Sequence, residues 1–201
     1  MVDAGLQDAV LWVVRRVALR ITRFPVLGER VELRTACSAL GARWAERRTR
    51  VTGPGGGGGA RVEAVALWVA IDPRTLRPAR IDALADVYGE SAGDRRVRTG
   101  LLHPPPPADA PSRPWTVRRA DLDVAAHVNN AAYWQALEEE LEGLAAAAGL
   151  AVDVEHRAAA GLDELRVLTG GEYRWIVAPD GAVCASFRLA SGAVAASGAG
   201  N

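Results

Sequence analysis

The sequence predicts an α+β protein made mostly of antiparallel strands, in two successive halves, with its one strong helix in the second. Three observations carry this. From Leu11 to Ile71 the chain runs as β-branched or alternating apolar segments broken by Pro, Gly and Asp, the signature of strands joined by short turns. Residues 91–113 are polar and glycine-containing at first and then hold Pro104-Pro105-Pro106-Pro107. Proline cannot donate a ladder hydrogen bond, so this stretch reads as a stiff extended spacer. Past it, Tyr133, Leu137, Leu141, Leu144 and Ala148 recur at helical spacing, with Glu138, Glu139, Glu140 and Glu142 largely off that stripe.

Each element follows from its own pattern. Leu11 to Phe24 is the first strand, in which Val17, Leu19 and Ile21 alternate with Ala18, Arg20 and Thr22 before Pro25 and Gly28 break it. Arg30 to Cys37 alternates again, Arg43 to Val51 is a polar strand with one wet face, and Gly53 to Gly59 is a flexible connection. Ala60 to Ile71 is a long apolar strand stopped by Asp72-Pro73, with a short helix around Asp82 to Tyr88. In the second half, extended chain from Pro114 to Arg119 leads through a charged turn into a helix from Asn129 to about Ala148, which Gly149 stops. Strands at Val152–Arg157, Glu164–Leu168, Glu172–Val177 and Val183–Leu189 complete it, the last two joined at Pro179-Asp180-Gly181. One helix wrapped by an antiparallel sheet is the hot-dog layout. The first half reads as the sheet of a second copy, so the expectation is a tandem hot-dog fold. Residues 1–90 form an incomplete first half without its own helix, 91–113 the linker, and 114–201 the half that carries the site.

Composition excludes several functions. All 24 basic residues are arginine, so chemistry that needs a lysine, such as a Schiff base or a phosphate-loop lysine, has no candidate in this chain. Formal net charge is zero, which gives no global pull towards nucleic acid. No apolar run approaches the roughly 18–20 residues that span a bilayer. The chain is therefore expected to be cytoplasmic, without a signal peptide, nucleic acid or membrane partner. Cys37 and Cys184 read as small reduced core residues, and the six tryptophans as packing groups. No metal or cofactor is expected.

The chemistry concentrates in Asp121-Leu122-Asp123-Val124-Ala125-Ala126-His127-Val128-Asn129-Asn130. Two carboxylates, an imidazole and two amides lie where an extended segment turns into the helix. A carboxylate and a histidine there can hold and deprotonate water, while N–H groups at the helix start can receive a carbonyl oxygen. Hydrolysis of an activated acyl group suits such a cluster. Asp121 reads as a structural partner of Arg118 or Arg119, Asn129 and Asn130 as helix caps that also touch substrate, His103 as inert among prolines, and His156 as a strand residue.

With these residues in view, the chain resembles the acyl-acyl carrier protein thioesterases of plants and bacteria, which are tandem hot-dog proteins. Leu11-Trp12-Val13-Val14 through Arg23-Phe24-Pro25 to Glu32 is similar to the family's tryptophan strand and R-[YF]-P turn, and Ala66 to Thr75 to its S-x-W-V-x-x-[ND]-x-x-[ST] strand and turn. Asp121 to Asn130 is similar to its D-L-D-x-N-x-H-V-N-N signature, and Glu155-His156-Arg157 to its E-Y-R segment. The resemblance implies that Asp123 and His127 act on the thioester and that the partner is acyl carrier protein bearing a fatty acyl chain. It also implies an apolar cavity for that chain, expected in the first half. Three positions depart from the family: Ala125 stands for its asparagine, and Ala159 and Ala160 for a glutamate and a cysteine. The family also has a strand and a helix ahead of the tryptophan strand, for which residues 1–8 leave no room, so the upstream reading frame is expected to encode them. The implied activity is hydrolysis of fatty acyl-carrier thioesters in fatty acid synthesis. The alternatives are an impaired, acyl-thioester-binding relative or a thioesterase directed to coenzyme A. A homodimer is compatible with either.

Overall fold

A computed structural model describes residues 10–54, 59–92, 96–139 and 149–190. The chain divides into two compact units, Met1–Leu19 with Arg23–Gly100, and Arg20–Thr22 with Leu101–Asn201.

The first unit contains most of β1 (Leu11–Arg23), together with β2 (Glu32–Gly41), β3 (Trp44–Thr52), β4 (Arg61–Ile71) and α1 (Ala83–Ala92). The strands follow the predicted meander and lie in the order β2-β3-β4-β1. Paired residues of antiparallel strands share a face. Leu33, Val51 and Val62 therefore form a row on one side of the sheet, and Arg34, Arg50 and Glu63 a row on the other. Glu63 accepts from Arg48 (3.0 Å) and Arg50 (2.9 Å), which balances charge on the polar strand that the sequence predicts. Val10, Ala70, Ile81 and Leu84 make a small core, joined by Trp12, Leu40, Ala79 and Tyr88. Glu29 ties the turn after β1 to the end of the β3–β4 hairpin. Its carboxylate accepts the N–H groups of Val26 (3.0 Å) and Ala60 (2.7 Å) and pairs with Arg23 (2.9 Å), which holds its pKa at about 2. The middle of the glycine connection, 55–58, lies outside the described residues.

The second unit contains β5 (Ser112–Thr116), a single 3-10 turn at Arg119–Asp121, α2 (Ala132–Glu138), β6 (Leu150–His156), β7 (Glu164–Gly170), β8 (Tyr173–Val177) and β9 (Val183–Ala190). Its strands lie in the order β6-β9-β8-β7-β5. The predicted turn between β8 and β9 forms as expected. Gly181 takes φ 86°, which suits a residue without a Cβ, and Asp180 accepts the N–H of Ala182 at 2.9 Å. Tyr133 and Leu137 of α2 are buried, as the stripe predicts. Trp134 meets Phe187 of β9 edge-on with ring centroids 5.6 Å apart, and Tyr133 lies 5.9 Å from Trp115 of β5. The remaining stripe residues, Leu141, Leu144 and Ala148, lie outside the described residues.

Two expectations need correction. The helix starts at Ala132, three residues later than predicted, because Asn129 caps it from outside. Asn129 Oδ1 accepts the N–H of Ala131 (2.9 Å) and its carbonyl the N–H of Ala132 (2.8 Å). Nor is His103 inert. Its Nδ1 lies 2.9 Å from Ser186 Oγ and its ring meets Tyr173 edge-on. The backbone around it is pinned by groups of the second unit: Glu155 accepts the N–H groups of Leu102 and His103 (the latter at 3.2 Å), Arg157 donates to the His103 carbonyl (2.7 Å), and the Trp175 indole donates to the Pro104 carbonyl (2.9 Å). Part of the predicted spacer is therefore built into this unit's packing.

Candidate active site

The site grows from a buried carboxylate. Asp121, 4% exposed, accepts the Arg118 backbone N–H (2.7 Å) and both arms of the Arg118 guanidinium (3.0 and 2.7 Å). These bonds from Arg118 hold the Asp121 pKa below the usual carboxylate value. Arg118 also donates to Gln135 of α2 (2.6 Å), so one guanidinium ties the 3-10 turn to the helix. The Asp121 carbonyl accepts the N–H of Asn129 (2.8 Å). Asp121 is thus the structural partner that the sequence predicts, and Arg118, not Arg119, is its cation.

From this base the chain makes a closed finger. A bridge pairs Leu122 with Val128, Asp123 N–H donates to the His127 carbonyl (2.8 Å), and Ala126 N–H donates to the Asp123 carbonyl (3.0 Å). Asp123 Oδ1 then accepts two more N–H groups, from Ala125 (2.9 Å) and His127 (3.1 Å). Ala126 pays for the tight turn with φ 59°, a conformation that costs a residue with a Cβ about 1–2 kcal/mol. Residues 123–127 are all exposed. Among the described residues, no side chain hydrogen-bonds the His127 imidazole, and Asp123 Oδ2 makes no hydrogen bond. Asp123 and His127 are therefore brought together, but through backbone: one oxygen of Asp123 shapes the finger that displays His127.

The other family-matched segment lies alongside. Val128 N–H donates to the Ala160 carbonyl (2.8 Å), and the N–H groups of Arg157 and Ala158 donate to the Cys184 carbonyl (2.8 and 3.3 Å). Residues far apart in sequence, Ala125 and Ala159–Ala160, thus lie on neighbouring segments, with methyl groups at the three positions where the resemblance implies an asparagine, a glutamate and a cysteine. The expected use of helix N–H groups is not available at Ala131 and Ala132, since both donate to Asn129. Asn130 is exposed and has no side-chain hydrogen bond among the described residues.

Besides the paired carboxylates Asp121 and Glu155, the second unit buries three titratable groups that stay neutral. His156 is buried in β6 as predicted, and burial lowers its pKa to about 4; its ring lies 5.9 Å from that of Tyr133. Burial raises the Tyr133 phenol and the Cys184 thiol above their usual values. Tyr133 Oη is buried without a hydrogen bond among the described residues. These groups are a neutral floor, and a histidine so depressed is a weak base near neutrality. Nothing in the sequence pattern singles out Tyr133 as more than a helix-stripe residue.

The first unit has a recess of about 930 Å³ along β2, lined among others by Leu33, Ala36, Cys37, Arg48, Arg50 and Ala92. Its volume lies in the usual range for small-molecule sites.

Comparison with known proteins fits this division. The profile of the acyl-ACP (acyl carrier protein) thioesterase N-terminal domain matches residues 3–88, and that of the C-terminal domain residues 106–165. Two uncharacterised proteins of Mycobacterium tuberculosis, from strains CDC 1551 / Oshkosh and H37Rv, are each 30% identical over 132 residues, covering 65% of this chain and 51% of theirs. The chain spans about half the length of these curated relatives. A 12:0-ACP thioesterase from Umbellularia californica superposes with a TM-score of 0.72 at 24% identity, over 92% of this chain and 81% of that one. An acyl-ACP thioesterase from Bacteroides thetaiotaomicron superposes with a TM-score of 0.73 at 16% identity, over 91% and 77%. At such identities the structures show a shared fold, the antiparallel hot-dog-like fold of thioesterases. With both domain profiles matched in order along the sequence, the chain belongs to the acyl-ACP thioesterase family.

Proposed function

We propose that this chain hydrolyses fatty acyl thioesters of acyl carrier protein, releasing a free fatty acid and the carrier thiol. The observation that carries the reading is the finger 123–127, which displays an imidazole without a hydrogen-bond partner among the described residues, beside the second family-matched segment. His127 takes a proton from water as its oxygen attacks the thioester carbon. The C–S bond breaks, and the thiolate, a good leaving group, departs and regains a proton. Asp123 Oδ1 keeps the finger closed while its charge favours the imidazolium that forms. The two units are read as tandem hot-dog halves, with the stretch 91–113 running from the first into the second, where Leu102 to Pro104 and the start of β5 are packed. In the first half, α1 is read as a peripheral helix and not the central one. The recess along β2 has the size to take a fatty chain, with Leu33, Ala36, Cys37 and Ala92 as its apolar wall and Arg34, Arg48 and Arg50 among its polar lining.

The test is steady-state thiol release from a long-chain acyl-carrier thioester. His127→Ala should lower it by about 10²–10⁴-fold, the span of general acid–base contributions, with an unchanged circular dichroism spectrum. Equal rates from the folded variant would remove the reading.

A second reading, an acyl-carrier binding protein without turnover, is favoured by one observation: Ala125, Ala159 and Ala160 carry only methyl groups, and among the described residues no side chain hydrogen-bonds the His127 ring. Ala125→Asn with Ala159→Glu separates the two. A rise in thiol release supports a weakened hydrolase, and a rate fixed at the uncatalysed background supports the binder.

A further inference from the structure

The connection from β4 to α1 in the first unit holds two arginines and a leucine out in solvent on a fixed frame. Asp72 builds it. Its Oδ1 accepts the N–H groups of Arg74 (2.8 Å) and Thr75 (2.9 Å), its carbonyl accepts that of Leu76 (2.9 Å), and its own N–H donates to the Arg77 carbonyl (2.8 Å). A bridge between Ile71 and Pro78, and a bond from Ala79 N–H to the Ala70 carbonyl (2.8 Å), close the base. At the tip Leu76 takes φ 54° and is 71% exposed. A leucine gains nothing locally from that backbone conformation, and its side chain gains nothing from water.

The charge around this tip is one-sided. Arg74 and Arg77 are exposed on either side of Leu76, and Arg43 joins them at the base, where its carbonyl accepts the N–H of Ala70 (3.0 Å). Among the described residues no carboxylate forms an ion pair with Arg43, Arg74 or Arg77, although Asp72 lies within electrostatic reach of Arg74 and Asp82 of Arg43. Asp72 is turned onto the loop's own N–H groups, and Asp82 is held by Arg80 at 2.7 Å. The next element, α1, carries Asp86 and Glu90, which confines the basic surface to the loop.

We propose that this loop is the docking surface for the carrier protein, with Arg74 and Arg77 pairing with carboxylates on the carrier's surface and Leu76 buried against it. This rests on the reading that the chain acts on carrier-bound thioesters. Guanidinium forks match carboxylates in a bidentate way, and a ring of such charges steers an oppositely charged partner to one orientation. A single leucine buries too little apolar surface to hold a lipid bilayer, which favours a protein partner.

The experiment titrates the full chain with carrier protein bearing a hydrolysis-resistant acyl amide, by calorimetry at low and high salt. Arg74→Glu with Arg77→Glu should weaken binding by about tenfold or more, chiefly at low salt. Leu76→Gly suits the backbone at that position and removes the side chain, so it should weaken binding several-fold while the fold is kept or strengthened. Hydrolysis of a short thioester without a carrier should be unchanged in both variants. Unchanged carrier affinity in both variants overturns the proposal, as does no carrier binding by the unaltered chain. So does a loss of binding to phosphatidylglycerol vesicles with carrier affinity kept. Loop-dependent carrier binding without any thiol release would leave the dock standing and remove the hydrolase reading. Thiol release from the carrier that ignores both variants would do the reverse.

Discussion

The two units bury their side chains very differently. Among the described residues, ten of the eleven largest side chains with under 2% exposure belong to the second unit, and only Ile81 to the first. The large apolar side chains left exposed show the opposite bias: nine of thirteen, among them Leu11, Val13 and Leu33, are in the first unit. Both units are antiparallel sheets, and the poorly covered first unit has the longer strands, 9–13 residues against 5–8, so sheet formation alone does not make a core. The second unit lays α2 against its sheet through Tyr133, Trp134 and Leu137, whereas α1 covers only a corner around Ile81 and Leu84. A rigid interior can hold a strained finger such as 123–127 in one shape. An open sheet offers surfaces instead, the recess along β2 and the arginine loop. The proposed chemistry and the proposed recognition thus fall on the units whose packing suits each.

The largest effect that sharpens this contrast is at Asp123. Asp123→Asn keeps an oxygen that can accept the Ala125 and His127 N–H groups, so the finger should survive while its charge is lost. Thiol release should fall by about 10²-fold or more with the spectrum unchanged. If activity and folding fall together, the carboxylate's role is mainly architectural.

Core truncation comes next. Phe187→Ala, at a site 1% exposed, should cost about 3–5 kcal/mol. Leu33→Ala, 64% exposed, should stay within about 0.5 kcal/mol. Denaturant midpoints with unchanged slopes measure both. Similar losses would mean that something covers β2 and that the contrast is false.

Acid should separate the units more gently. His156 has its pKa lowered from 6.5 to about 4, so the unfolded chain binds the proton more readily. The second unit therefore loses stability as pH falls from about 6.5 towards 4. Glu29 is lowered from 4.5 to about 2, so its contribution to the first unit is complete above 4.5 and fades only towards 2. Urea unfolding read by peptide-resolved hydrogen exchange should show the second unit weakening first on acidification. The reverse order would contradict the assignment.

The smallest effect is at Ala126. Ala126→Gly relieves the positive φ but frees the unfolded chain, so a gain of about 0–1 kcal/mol is expected, with thiol release kept. A clear loss of stability would show that the methyl group packs in a way the exposed finger does not suggest.

Strands were legible because period-two alternation records which face is covered, and every predicted strand has its counterpart within a few residues. The Arg118–Asp121 pair was legible from proximity and opposite charge. The shape of the finger was not, since αL backbone is usually announced by Gly or Asn and here falls on Ala126. The late start of α2 was hidden because an asparagine can either begin a helix or cap it from outside. Glu155 in a strand looks like any polar position until the segment it binds, more than fifty residues earlier, is laid beside it.

That last contact has a practical consequence for dissecting the gene. The prolines look like the natural place to cut the chain in two. Yet Leu102 to Pro104 supply partners to Glu155, Arg157 and Trp175 inside the second unit. A fragment beginning at 114 would leave a buried carboxylate and an indole N–H without them, whereas one beginning at or before Leu101 would keep them. Limited proteolysis of the intact chain should accordingly spare the stretch from Leu102 to Pro104, and a viable split pair should have its junction ahead of it.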